Sequence, residues 1–285
     1  IATHAASPYG NHSQIYGNVY EPTELGSGGD SSSSARSYGG GAVYLVVAGS
    51  AVVDGTIDVR SSSQKWTGAI NPEKGCGAGG SVYLSATSIS GAGSVNASCY
   101  DVAETSYSYN GSGGRVALIA TSGTVSLPLA NLKANGGAAG NSAGAGTIFI
   151  KNAADANGTL LVGNNKGDSW SYIVRYPKKT SCTAVKPGET WTFDRVLLRD
   201  QGILSVPATA TLAIPGGWQS VTNLTSTTDP MAGILYLGGT LDVPAATEHQ
   251  ISGKWIFQGD SPYTFDGDVR ISNYAAFGNL LLAQS

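Results

Sequence analysis

A short strand-like phrase recurs along the first half of this chain at a nearly fixed interval. Gly40-Gly41-Ala42-Val43-Tyr44-Leu45 returns as Gly80-Ser81-Val82-Tyr83-Leu84 and as Gly113-Gly114-Arg115-Val116-Ala117-Leu118. It appears once more as Gly144-Ala145-Gly146-Thr147-Ile148-Phe149-Ile150. A second phrase follows the first three copies: Gly55-Thr56-Ile57-Asp58-Val59, Gly93-Ser94-Val95-Asn96-Ala97 and Ala130-Asn131-Leu132-Lys133-Ala134. The first phrase recurs every 32 to 39 residues and the second every 37 or 38. Repeats of this length are single supersecondary units that cannot bury an apolar face alone and do so against their neighbours.

Each copy alternates apolar and polar residues, so Val43, Leu45 and Val47 share one face of a strand, as do Ile57 and Val59. Stacked in register, the copies place Leu45, Leu84 and Leu118 in one interior ladder, with Val43, Val82 and Val116 beside it. Glycine supplies the positive φ with which a chain turns a corner into its next strand. The 40 glycines and the charged fraction of 12% fit such a repetitive β architecture. They do not fit collagen, because glycine does not fall at every third position. Helices are excluded by the near absence of apolar residues at i, i+3, i+4 and i+7. The fold class expected is all-β: a right-handed parallel β-helix or related β-solenoid, with long Gly/Ser-rich loops on one side. A β-sandwich or propeller is the runner-up, disfavoured because its tight hairpin turns are missing.

The second half repeats in a different dialect. Gly202-Ile203-Leu204-Ser205-Val206-Pro207-Ala208-Thr209 matches Gly239-Thr240-Leu241-Asp242-Val243-Pro244-Ala245-Ala246-Thr247. Two regions are therefore expected: glycine-rich repeats over 1–176, and continuing coils of a second repeat type over 177–285.

The phrase Gly-Gly-x-[Val/Ile]-Tyr-Leu with its Gly-Gly-Arg-Val-Ala-Leu and Gly-Ala-Gly-Thr-Ile-Phe-Ile-Lys variants resembles the glycine-rich repeat region of large secreted, mainly bacterial, β-helix-like proteins. The lead-in Tyr16-Gly17-Asn18-Val19-Tyr20-Glu21-Pro22-Thr23-Glu24-Leu25-Gly26-Ser27-Gly28-Gly29 fits the same likeness, which covers about residues 10 to 175. It implies an architecture and no activity. This chain departs from the pattern in loops that carry Tyr, Trp, Lys and Cys where near-pure glycine is usual.

Register also defines the candidate chemistry. Asp58, Asn96 and Lys133 fall in one column, and Arg60, Ser98 and Asn135 in the next. If the protein is an enzyme, Asp58, Arg60 and Lys133 share a groove that Asp101 and Glu104 enter from the loop above. That set would serve a polysaccharide lyase or glycoside hydrolase, which needs charged groups converging on one face. No acidic pair recurs at one strand position, so the leading reading is non-catalytic. The aromatic residues suit contact with sugar faces, having apolar rings with polar rims. They are Trp66, Tyr100, Tyr107 and Tyr109 in successive loops, with Trp170 and Tyr172 near mid-chain. The bland alternative is that these rings pack loop against loop.

No metal site and no cofactor is expected. The three histidines are dispersed, Asp155-Ala156-Asn157-Gly158 reads as a turn, and no glycine cluster leads into a helix. A net charge of −3 without a basic stripe argues against nucleic acid, and no apolar run is long enough for a membrane span. A polysaccharide or cell-surface glycan is the partner expected. Five N-x-[ST] sequons, at Asn11, Asn96, Asn110, Asn157 and Asn223, are little more than this composition supplies by chance. The surface residues, rich in Ser, Thr, Asn and Tyr, indicate an extracellular or cell-surface protein. A Cys76–Cys99 disulfide is expected, because both cysteines fall in successive loops on one side of the stack. The uncharged stretches Ile1–Ile15 and Tyr274–Ser285 lack the charges that blunt strand addition. They suggest self-association through the terminal coils, or a chain that continues.

Overall fold

The computed structural model describes residues 17–28, 37–62, 76–100, 111–137, 143–163, 182–200, 202–217, 220–224, 233–245, 248–251, 254–257, 267–271 and 274–277. These residues are all-β, and all but one of the strand pairings are parallel. Three strands form on each early pass of the chain: β1 (Ala42–Val46), β2 (Ala51–Val52) and β3 (Thr56–Asp58), then β4 (Ser81–Ala86), β5 (Ile89–Ser90) and β6 (Ser94–Asn96). The third pass gives β7 (Arg115–Ala120), a bridge at Val125, a single 3-10 turn at Leu129–Asn131 and β8 (Leu132–Lys133). β9 (Thr147–Lys151) and β10 (Thr159–Gly163) follow.

The pairing is parallel and in the register that the repeats imply. Val43 pairs with Val82, Val82 with Val116 and Val116 with Ile148, and the same ladder runs Leu45, Leu84, Leu118 and Ile150. Val82, Leu84, Val116 and Leu118 are all buried, but Leu45, expected in the same interior ladder, is 44% exposed because β1 is the edge strand of its sheet. The second phrase forms its own ladder, with Ile57 beside Val95 and Val95 beside Leu132. Parallel strands of one sheet need a crossover, and here the crossover is the remainder of each pass.

The chain then reverses. β9 and β10 pair antiparallel, with Phe149 opposite Leu160, through the turn at Asn152–Gly158. Asp155 accepts bonds from the backbone and side-chain amides of Asn152 at 2.8 and 2.9 Å. Asp194 accepts from both nitrogens of Asn157 and from Gly158 N. Gly158 has φ +73° and sits against the Phe149 ring, where a side chain has no room. Such a position belongs to glycine.

After the reversal the passes resume: β11 (Thr183–Ala184), β12 (Thr190–Thr192), β13 (Arg195–Arg199), β14 (Ile203–Val206), β15 (Thr211–Ala213) and β16 (Val221–Leu224). They continue with β17 (Ile234–Leu237), β18 (Thr240–Asp242), β19 (Glu248–Ile251), β20 (Lys254–Phe257), β21 (Asp268–Ile271) and β22 (Tyr274–Phe277). β10, β13 and β16 extend the first sheet to seven strands in the order β1-β4-β7-β9-β10-β13-β16, while β11-β14-β17-β20-β22 form a second sheet of five.

The middle strands of that sheet, β4, β7, β9 and β10, are buried on both faces. Val82, Leu84, Val116, Leu118, Ile148, Ile150 and Leu161 point into one apolar core. Ala117, Phe149, Leu160, Val162, Val196 and Leu198 point into the other, with Trp191, Phe193, Leu204, Leu212, Leu235 and Trp255. Sheets covered on both sides read as continuous apolar runs, which is what Val116-Ala117-Leu118-Ile119 and Leu160-Leu161-Val162 are. Tyr20 plugs the second core from the N-terminal segment. Its ring meets Phe149 edge-on at 5.1 Å. Its hydroxyl donates to the carbonyl of Thr192 at 3.3 Å and accepts from Thr192 N at 2.9 Å. Arg115 opens β7 fully buried, and burial pulls its guanidinium pKa down to about 10, against the opposing charge of Glu189.

Leu84 lies at the middle of the interior ladder. Leu84→Ala is expected to cost about 2–5 kcal/mol in urea unfolding; a change within about 0.5 kcal/mol, as at a surface position, would contradict the register.

Candidate functional site

The second-phrase ladder carries the polar groups that register brings together. Asp58 on β3 pairs with Asn96 on β6, and Asn96 with Lys133 on β8. Parallel strands lie about 4.8 Å apart, so Asp58 and Lys133 stand about 10 Å apart across the outer surface. They share a face without touching.

Asp58 has a nearer partner. Arg60 Nε donates to both carboxylate oxygens at 2.9 and 3.0 Å, Arg60 Nη2 donates to Oδ2 at 2.6 Å, and Arg60 N donates to Oδ1 at 3.0 Å. This is the bidentate geometry in which a guanidinium holds a carboxylate best. The hydrogen bond from Arg60 holds the Asp58 carboxyl below its ordinary value, although partial burial works the other way. The same bond raises Arg60, which partial burial lowers. Both side chains are substantially exposed, at 40% and 39%.

Arg60 also lies over an aromatic ring, its guanidinium carbon 5.7 Å from the centroid of Tyr100. That distance is within the range of a cation–π contact. Tyr100 is 42% exposed, and its backbone N–H donates to Ser61 Oγ at 2.9 Å. Beneath it, Ser61 N donates to Ser98 O and Cys99 N donates to Asn135 O. Cys76 and Cys99 are joined by a disulfide with Cα atoms 6.0 Å apart. The bond ties the segment before β4 to the residue preceding Tyr100.

Tyr38 belongs to the same surface and was not singled out in the sequence. Ser62 N donates to Tyr38 O at 3.0 Å, and Tyr38 N donates to Ser62 Oγ at 3.3 Å. Tyr38 is 60% exposed. Segment Arg60–Ser62 is thus flanked by Tyr100 on one side and Tyr38 on the other. The signal available was its place in the Gly/Ser-rich run just ahead of the first phrase, aligned with the loop edge.

Of the sequence-derived residues, the structure brings together Asp58, Arg60 and Tyr100, and holds Lys133 two strands away. Trp66, Asp101, Glu104, Tyr107, Tyr109, Trp170 and Tyr172 lie outside the described residues. Among the described residues, no three His, Cys, Asp or Glu side chains gather in a group able to hold a metal ion. No described helix is long and apolar enough to cross a membrane. Compared with protein-family models, with curated proteins and with solved structures, the chain finds no match.

This arrangement can present a flat, partly charged aromatic surface. It cannot hold a proton on Asp58 near neutrality, because the Arg60 pair favours the ionised carboxylate. The depressed carboxyl contributes stability above its ordinary pKa near 3.8, and that contribution is lost as pH falls through the lower native value. The Asp58 side-chain carbon resonance should therefore titrate below 3.8, and in Arg60→Gln it should move up toward that value. A native midpoint at or above the ordinary value would dissolve the pair. The disulfide closes a loop of 23 residues, so reducing it should lower the unfolding free energy by about 3 kcal/mol, measured by denaturant titration with and without reductant.

Proposed function

We propose that this chain is a secreted or surface-displayed, non-catalytic right-handed parallel β-helix whose loop edge contacts glycans. Handedness rests on a general rule: crossovers between parallel strands of one sheet are right-handed in about 98% of cases. In-register stacking of strand triplets over successive passes is the winding such a coil requires.

The glycan-contacting role is carried by one observation. The Tyr100 ring is exposed, bears the Arg60 guanidinium, and is held by a backbone bond to Ser61 and by the neighbouring disulfide. Sugars stack their apolar C–H faces on such rings while their hydroxyls bond to the polar rim. Arg60 adds donors, and its charge is already balanced by Asp58. A polysaccharide lyase or glycoside hydrolase is the alternative. A lyase asks for a cation to neutralise a uronate and a Lys, Tyr, His or Arg base, and a hydrolase for two or three working carboxylates. The ladder of Asp58, Asn96 and Lys133 offers the hydrolase a single carboxylate, already engaged by Arg60, and offers the lyase only Lys133, about 10 Å from that pair across two strand spacings.

A glycan-array screen, followed by titration of the best-bound polysaccharide, tests this reading. Tyr100→Ala should weaken binding about tenfold, which corresponds to about 1.4 kcal/mol. Reducing sugar and unsaturated uronate should stay at background throughout. Product that accumulates with the wild type and vanishes in Lys133→Ala would replace this reading with the lyase.

A further inference from the structure

Among the described residues, the first pass of the chain lacks a neighbour along its width. β1 is an edge strand, paired with β4 on one side, and β2 and β3 are edges of their own sheets. In a parallel ladder alternate residues of an edge strand direct their N–H and C=O groups outward. Side chains break off at the same boundary. Leu45 is 44% exposed, whereas its register partner Leu84 is 1% exposed. Val46 and Val52 are more exposed still. The Tyr44 ring stacks on Tyr83 with centroids 4.7 Å apart and is half exposed. The stack ends there.

An open edge alone does not say what belongs on it, but the glycines do. A side chain at Gly80 would collide with the carbonyl oxygen of Gly41, one at Gly114 with that of Gly80, and one at Gly146 with that of Gly114. In the second row, a side chain at Gly93 would collide with the carbonyl of Gly55. In the first row each later residue must be glycine because the preceding pass sets a carbonyl oxygen against it; in the second row this holds for Gly93, and the third pass carries Ala130. Gly41 and Gly55 head these rows, and neither has an atom within 4 Å of where its Cβ would stand. Neither has a positive φ. Glycine weakens a strand and usually marks a place where another backbone comes close. Nothing in the described structure comes close at either position.

We propose that the β1 edge is a docking surface for one more parallel pass of the same repeat pattern, supplied by a separate polypeptide. The occupant is an extended segment with glycine over Gly41 and aliphatic residues over Val43 and Leu45. An aromatic side chain over Tyr44 continues the ring stack. The glycine's carbonyl fills the space above Gly41, and the mode is strand addition to a sheet edge. This chain has no described copy of the phrase to spare, because β1, β4, β7 and β9 pair with one another. A second copy meeting its partner through β1 about a twofold axis would run antiparallel, and so would not repeat the carbonyl-over-glycine register. The proposal goes beyond the glycan reading and uses a different surface, so either can fail alone.

The probe is a fluorescein-labelled peptide copying Gly79–Thr87, with a scrambled peptide as control, titrated into the intact chain by fluorescence anisotropy. Saturable binding is expected for the copy and not for the scramble. Gly41→Val should lose affinity about tenfold or more with unchanged thermal melting, since its side chain enters open space. Gly55→Val, outside the reach of this peptide, should bind normally. Gly80→Val should melt lower, because the Gly41 carbonyl occupies that space. A nitroxide at the peptide N-terminus should broaden the amide resonance of Ala42 more than that of Val46. Absence of saturable binding, equal binding by Gly41→Val, or the reverse broadening order would overturn the proposal. So would a dimer of the unliganded chain that Gly41→Val abolishes, which would assign the edge to a second copy.

Discussion

Close approach of one strand's carbonyl to the next strand's glycine is the constraint on which this structure depends. Gly41, Gly80, Gly114 and Gly146 form a row in which each later member faces the carbonyl oxygen of the one before. The contact fixes register, because a slip of one residue would put Ser81, Arg115 or Thr147 where no side chain fits. Register in turn decides which face each side chain takes, since the period of a strand is two. Leu84, Leu118 and Ile150 line one core in the register that their glycines share, with Leu45 exposed at the edge of the same column.

The seven-stranded sheet extends that constraint to the second half. Phe149 and Leu160 face each other across the antiparallel β9–β10 junction, and both enter the second core. Their sequence neighbours Ile148 and Leu161 also pair, and both enter the first. One sheet is thus the common wall of two apolar interiors. The turn that makes this possible is held by Asp155 and Asp194, both accepting backbone N–H groups. Tyr20 closes the second core by reaching both Phe149 and the backbone of Thr192. A segment early in the chain is therefore part of packing built mostly by residues more than a hundred positions later.

At the candidate site the same register sets chemistry. Asp58 and Lys133 were legible as column members, because the spacing of the second phrase assigns them equivalent positions. What spacing does not carry is that Asp58 is engaged by Arg60, two residues on in the same chain, and that Arg60 then lies over Tyr100 from the next pass. Those contacts follow from side-chain rotamers at a loop edge. Tyr38 was hard to read for a related reason: its partner Ser62 stands at the far end of the same pass and joins it through Ser62 N to Tyr38 O and Tyr38 N to Ser62 Oγ.

By itself the sequence determined the all-β class, the parallel pairing of successive copies and most of the interior ladder, with Leu45 the exception because the first copy lies at the sheet edge. Each follows from local rules: alternation at period two and phrases repeated at constant spacing, whereas the repeat glycines have no positive φ and serve the close approach of neighbouring passes. Tertiary structure decided that the chain reverses at Asn152–Gly158 and that the middle strands of its largest sheet are covered on both faces. A run such as Leu160-Leu161-Val162 states that both faces are apolar, but it does not say what covers the second one. Which partner a strand takes, and in which direction, is settled by whole surfaces meeting, and no single repeat contains that information.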